Sequence, residues 1–162
     1  MPTTVKPIPK GYHSITPSLT CRDAARAIDF YKQVFDAQEL SRMSAPDGKI
    51  THAELKIGDS VLFLNDEFPE TGSRQTESSS IYLYLYVTDV DSVFNRAAAA
   101  GARTDMPLQD MFWGDRYGKL TDPFGHQWGV ATRKENVAPE EVSRRAAAFF
   151  AKAAGHSAAS AG

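Results

Sequence analysis

His52 and Glu54 stand one residue apart in residues 49–57, a run that alternates polar and apolar side chains. On a β-strand that spacing sends both to the same side. There an imidazole and a carboxylate can act as acid and base, or offer two donors to a divalent ion. Lys56 shares that side, so the same three residues also read as an exposed strand face. His13 adds a third donor upstream. Tyr82, Tyr84 and Tyr86 alternate with Ile81, Leu83, Leu85 and Val87, so a strand there has one aliphatic and one phenolic face. The phenolic face suits a pocket wall, or the rings fill space between strands. In Phe112-Trp113-Gly114-Asp115-Arg116, Trp113 offers a stacking plate and Arg116 a fork for carboxylate or phosphate. The alternative is that Asp115 and Arg116 pair with each other or cap a strand while Trp113 plugs one end of the fold. No Ser–His or Cys–His nucleophile pair and no glycine-rich phosphate loop is present. His126, in a turn, reads as a structural hydrogen bonder.

The elements that position these residues follow from periodicity. Residues 12–21 alternate as a half-buried strand, with Ile15, Leu19 and Cys21 on one face. Asp23 is an N-cap, and Ala24, Ala27, Ile28, Tyr31 and Phe35 follow at helical spacing. Strands are expected over 38–43, 49–57 and 60–64, separated by Pro46-Asp47-Gly48 and Gly58-Asp59. The polar stretch up to residue 80 reads as a loop. The pattern then repeats: a strand over 81–87, a helix over 91–100 stopped by Gly101, and strands over 102–106, 113–121 and 126–132. Asp23 and Asp89, Asp36 and Gly101, and Gly58 and Gly125 are each offset by about 66 residues. The offsets predict duplication of one β-α-β-β-β unit. The expected organisation is an extended arm over 1–11, a first module over 12–66, a loop over 67–80, a second module over 81–132, and a C-terminal helix and tail over 133–162. The helix starts at Pro139 with Glu140 and Glu141, presents Val142, Ala146, Phe149 and Ala153 on one stripe, and frays from Gly155.

The chain of 162 residues has 42% hydrophobic residues and a formal net charge of −2, which gives no reason to expect nucleic acid or a membrane as partner. No apolar run is long enough to span a bilayer, and the first residues lack the apolar core of a signal peptide. The single cysteine, Cys21, excludes an internal disulfide and reads as a buried strand residue. These features suit a cytoplasmic protein.

Phe112-Trp113-Gly114-Asp115-Arg116 and Asp122-Pro123-Phe124-Gly125-His126 resemble the vicinal oxygen chelate (glyoxalase / bleomycin-resistance / dioxygenase) superfamily, and within it the PhnB-like proteins. The resemblance implies an α+β fold: two tandem βαβββ modules forming a curved mixed sheet or half-barrel around a shared cavity, plus the C-terminal helix. It implies metal-ligand positions near Thr16, Phe63, Tyr82 or Tyr84, and Gly129, none of which is a good ligand. The expectation is therefore a metal-free small-molecule binder without cofactor, as bleomycin-resistance proteins are, with Tyr82, Tyr84, Tyr86, Trp113 and Arg116 around the cavity. Relatives often pair, so a homodimer is expected. The alternative is a divalent-metal lyase, isomerase or dioxygenase using His13, His52 and Glu54. A third reading uses His52 and Glu54 as metal-free acid and base.

Overall fold

The computed structural model describes residues 4–77 and 79–159. Parts of the expected arm, loop and tail, residues 1–3, 78 and 160–162, lie outside the described residues. The chain divides into two compact units: residues 1–80 with 123–126, and residues 81–122 with 127–162.

In the first unit, β1 (Ser18–Cys21), α1 (Ala24–Phe35), β2 (Gln38–Ser44), β3 (Ile50–Ile57) and β4 (Ser60–Asp66) form a sheet ordered β1-β4-β3-β2, with β1 parallel to β4. Asp23 caps α1 by accepting from the Arg26 amide at 3.2 Å. Ala27, Ile28, Tyr31 and Val34 bury one face of α1, and Ala53, Leu55 and Leu64 bury the corresponding face of the sheet. Buried Asp66 ties two element starts together, taking the Ala24 amide at 2.8 Å and the Ile50 amide at 2.7 Å.

In the second unit, β5 (Tyr82–Tyr86), α2 (Val90–Ala99), β6 (Arg103–Asp110), β7 (Asp115–Thr121) and β8 (Gln127–Arg133) repeat the arrangement as β5-β8-β7-β6, with β5 parallel to β8. Asp89 caps α2 through the Ser92 amide, again at 3.2 Å. Val90, Val93, Phe94 and Ala97 are buried on the helix, as are Leu120, Trp128 and Val130 on the sheet. α3 (Pro139–Ala159) follows. The fold is α+β: two four-stranded mixed sheets from duplicated βαβββ units, plus a C-terminal helix.

Four local expectations are corrected. The first strand begins only at Ser18, because Pro17 has no amide to donate, and Ile15 is left exposed. Ile81 likewise precedes its strand and is exposed. β6 runs on to Asp110, with register shifts between Thr104 and Gln109; Pro107 is tolerated there on an edge strand. α3 continues through Gly155 to Ala159. A single glycine costs about 1 kcal/mol in a helix, and the surrounding alanines favour it.

Candidate ligand-binding site

Alternation and register build one face of the second sheet. Tyr82, Tyr84 and Tyr86 on β5 lie opposite Gln127, Gly129 and Ala131 on β8. Tyr117 and Lys119 on β7 lie opposite Ala131 and Gly129, and Asp115 lies opposite Arg133. These residues therefore share the face turned away from α2. The Tyr84 and Tyr117 rings are stacked, 5.0 Å apart with planes 6° from parallel. Tyr86 lies 5.1 Å from Tyr84, and Trp113 lies 5.7 Å from Tyr117. The Lys119 ammonium stands 4.0 Å from the centroid of the Tyr82 ring. Gly129 is required here: a Cβ would meet Tyr117 Cε2 at 2.7 Å.

Asp115, only 1% exposed, organises the rings. Its Oδ2 accepts the Tyr84 hydroxyl at 2.9 Å and the Tyr86 hydroxyl at 2.8 Å, and its Oδ1 takes the Arg133 Nε–H at 3.4 Å. Burial alone would raise its pKa. The Tyr86 and Tyr84 hydroxyls, the Trp113 indole N–H and the Arg133 charge outweigh burial and hold the carboxyl below its ordinary value. Burial, with the Asp115 bond second, pushes the Tyr84 phenol up. Burial, with a Tyr82 hydrogen bond second, does the same to Tyr117. Yet Tyr82, Tyr84 and Tyr86 remain 41%, 38% and 55% exposed. The result is a set of open aromatic rings whose polar ends are fixed from beneath.

Arg116 is placed elsewhere. On β7 it alternates with Asp115 and Tyr117, so it points to the α2 side, where it forks onto Asp91 with two contacts of 2.9 Å and reaches Asp110 at 3.3 Å. It pairs with neither Asp115 nor the tyrosines' face. The sequence alone points to Tyr82, Tyr84, Tyr86, Trp113 and Arg116 and to the stretch 112–117, which holds Asp115 and Tyr117; it does not single out Lys119 or Arg133. The period of two from Asp115 through Tyr117 to Lys119 carried the signal. The β7–β8 register was needed to see it.

The first sheet carries a smaller polar cluster. His52 Nε2 and Glu54 Oε1 are 3.1 Å apart, and the Tyr12 hydroxyl donates to Glu54 Oε2. Phe63 lies beneath, edge to face with His52 at 4.8 Å. The Tyr12 hydrogen bond first, and His52 second, hold the Glu54 carboxyl below its ordinary value. His13 is exposed. Among the described residues no three His, Cys, Asp or Glu side chains gather in a way that could hold a metal ion. The set His13, His52 and Glu54 is not gathered into such a group. Gly129, where the resemblance puts a carboxylate, has the Tyr117 ring over it.

Two further features belong to the first unit. The His126 Nε2–H donates to the Thr20 carbonyl at 2.9 Å and lies 3.6 Å from buried Cys21 Sγ. A groove of about 430 Å³ is lined by Arg22, Arg26, Gln75 and Phe124, among others. No helix among the described residues is long and apolar enough to cross a membrane.

The sequence model of the Glyoxalase/Bleomycin resistance protein/Dioxygenase superfamily matches residues 11–130. An uncharacterized protein of Mycobacterium bovis is 44% identical over 135 residues, 80% of this chain and 89% of the relative. Among solved structures, TioX from Micromonospora sp. ML1 superposes with a TM-score of 0.60 at 32% identity, over 75% of this chain and 99% of TioX. The PhnB protein of Bacillus cereus shares the fold, with a TM-score of 0.61 at 21% identity over 74% and 99% of the two chains.

Proposed function

The chain belongs to the Glyoxalase/Bleomycin resistance protein/Dioxygenase superfamily, and from that premise we propose that it is a PhnB-like small-molecule binder that acts without a metal. Its ligand lies on the tyrosine face of the second sheet. The observation that carries this reading is the pairing of exposure with fixation. Tyr84 and Tyr86 show ring surface to solvent while their hydroxyls are held on buried Asp115. Rings ordered in advance lose little freedom when a ligand stacks on them. A filler role would bury the rings and leave none of this surface open. A thermal-shift screen of metabolites and aromatic antibiotics tests the reading. Compounds that stabilise the protein should lose that effect in Tyr84→Leu. Stabilisation unchanged in Tyr84→Leu would count against it.

The 3.1 Å His52–Glu54 pair favours a second reading, an acid/base enzyme working on the first sheet. Turnover lost in Glu54→Gln is the result that would sustain it. Elemental analysis of purified protein separates both from the metal-dependent alternative, a lyase, isomerase or dioxygenase. Stoichiometric zinc, iron, manganese or nickel would favour that alternative. We also propose a homodimer. β2 and β6 are edge strands, and Phe149 and Phe150 on α3 are exposed. Sedimentation at twice the chain mass is expected; a monomer at micromolar concentration would contradict it.

A further inference from the structure

We infer that the ligand of the tyrosine face is a planar aromatic anion, with its ring stacked on Tyr84 and its acid read by Arg133. This rests on the binding reading above and adds the ligand's chemistry to it. Tyr117 covers one side of the Tyr84 ring and is itself buried, whereas Tyr84 keeps open surface. A flat ring is the shape that extends such a stack.

The charge on the face supplies the second half. Among the described residues of this unit, Asp115 and Asp105 are the carboxylates that lie by it, and both are already held. Asp115 sits beneath the rings, accepting from Tyr84, Tyr86 and Arg133. Asp105, near Lys119, accepts from Arg103 at 2.8 Å and from the Thr121 hydroxyl at 2.5 Å. The cations are placed differently. The side chain of Arg133 is 55% exposed; it gives its Nε–H to Asp115 and is also hydrogen-bonded to Tyr86, which sets it beside that ring with N–H groups left for an acid to accept from. Lys119 lies over the Tyr82 ring. Tyr82 and Tyr86 are each two residues from Tyr84, about 7 Å along the strand, so the two cations flank the open ring. The hydroxyl end of Tyr84 and the Arg133 guanidinium meet at the same carboxylate. A ring lying on Tyr84 therefore directs a substituent at its polar end toward Arg133.

The test uses the full chain and three probes of one shape: 2-naphthoate, 2-naphthamide and 2-naphthylamine, titrated against Trp fluorescence, which Trp113 beside Tyr117 should report. The naphthoate is expected to bind at least about tenfold tighter than the amide, the scale of one hydrogen bond to a charged group. Arg133→Gln should erase that preference, Arg133→Lys should restore part of it, and Lys119→Gln should weaken naphthoate about two- to threefold. Should Arg133→Gln not fold, the naphthoate-to-amide ratio and its decline with added salt still decide the matter. Equal binding of naphthoate and amide, unaffected by either substitution, would overturn the acid-reading inference and leave the binder intact. If none of the three binds at millimolar concentration, the stacking reading falls with it.

Discussion

Asp115→Asn removes one buried negative charge without changing the shape of the side chain. Both tyrosine hydroxyls bond the same oxygen, at 2.9 and 2.8 Å, so the Asn carbonyl can keep those two bonds in weaker, neutral form. The amide nitrogen then replaces the oxygen that faced Arg133 at 3.4 Å, setting donor against donor. The charge left behind, Arg133, is half exposed and can turn to water, so the cost comes mainly from turning two charge-assisted hydrogen bonds into neutral ones, about 2 kcal/mol in all. Urea unfolding followed by Trp fluorescence measures it. The pH dependence supplies a second readout. The folded carboxyl lies below its ordinary value of 3.8, so the unfolded chain binds the proton more readily. The Asp115 contribution is therefore fully present above about pH 4 and is lost as pH falls through the folded pKa. The gap between wild type and Asp115→Asn should shrink as the pH is lowered below that value. A difference under about 1 kcal/mol at pH 7, or a gap that stays constant into strong acid, would refute the role given to this carboxylate.

Three further outcomes are expected. Spectrophotometric titration should show Tyr84 and Tyr117 ionising above the ordinary phenol value of 10.0, because burial disfavours the phenolate; ionisation of all tyrosines at the ordinary value would contradict the packing of that face. Tyr12→Phe should raise the Glu54 pKa toward 4.5, as followed by carbon NMR, since the Tyr12 hydroxyl is the main cause of its depression; no movement would show that the hydrogen bond does not form in solution. Gly129→Ala should destabilise by about 1–3 kcal/mol and shift the near-UV circular dichroism of the stacked rings, because the new methyl would meet Tyr117 at 2.7 Å; a neutral substitution would mean that the stack is loose.

Much of the fold was written in the sequence as period and punctuation. The paired caps Asp23 and Asp89, the turn at Gly58 and the equal offsets led to two βαβββ units, and the two sheets have the same strand order. Strand ends were less legible. Alternation at Ile15 and Ile81 continues beyond the strand ends at Ser18 and Tyr82, and only pairing shows where a strand stops. The geometry of the candidate site was partly legible. The tyrosine triplet could be read because it lies within one strand. The carboxylate beneath it and the cations beside it come from β7 and β8, and no local pattern sets that register. Arg116 shows the limit most clearly. A forked cation next to a tryptophan looks like a ligand contact, but strand alternation turns it toward Asp91 on α2.

The most direct measurement is a two-dimensional amide NMR titration of the full chain with a compound that raises its melting temperature. The expected result is that shift changes concentrate on β5, on residues 115–119 and on Gly129 through Arg133. Changes confined to the groove of Arg22, Arg26 and Phe124, or to the surroundings of His52 and Glu54, would place recognition on the other unit and contradict the account.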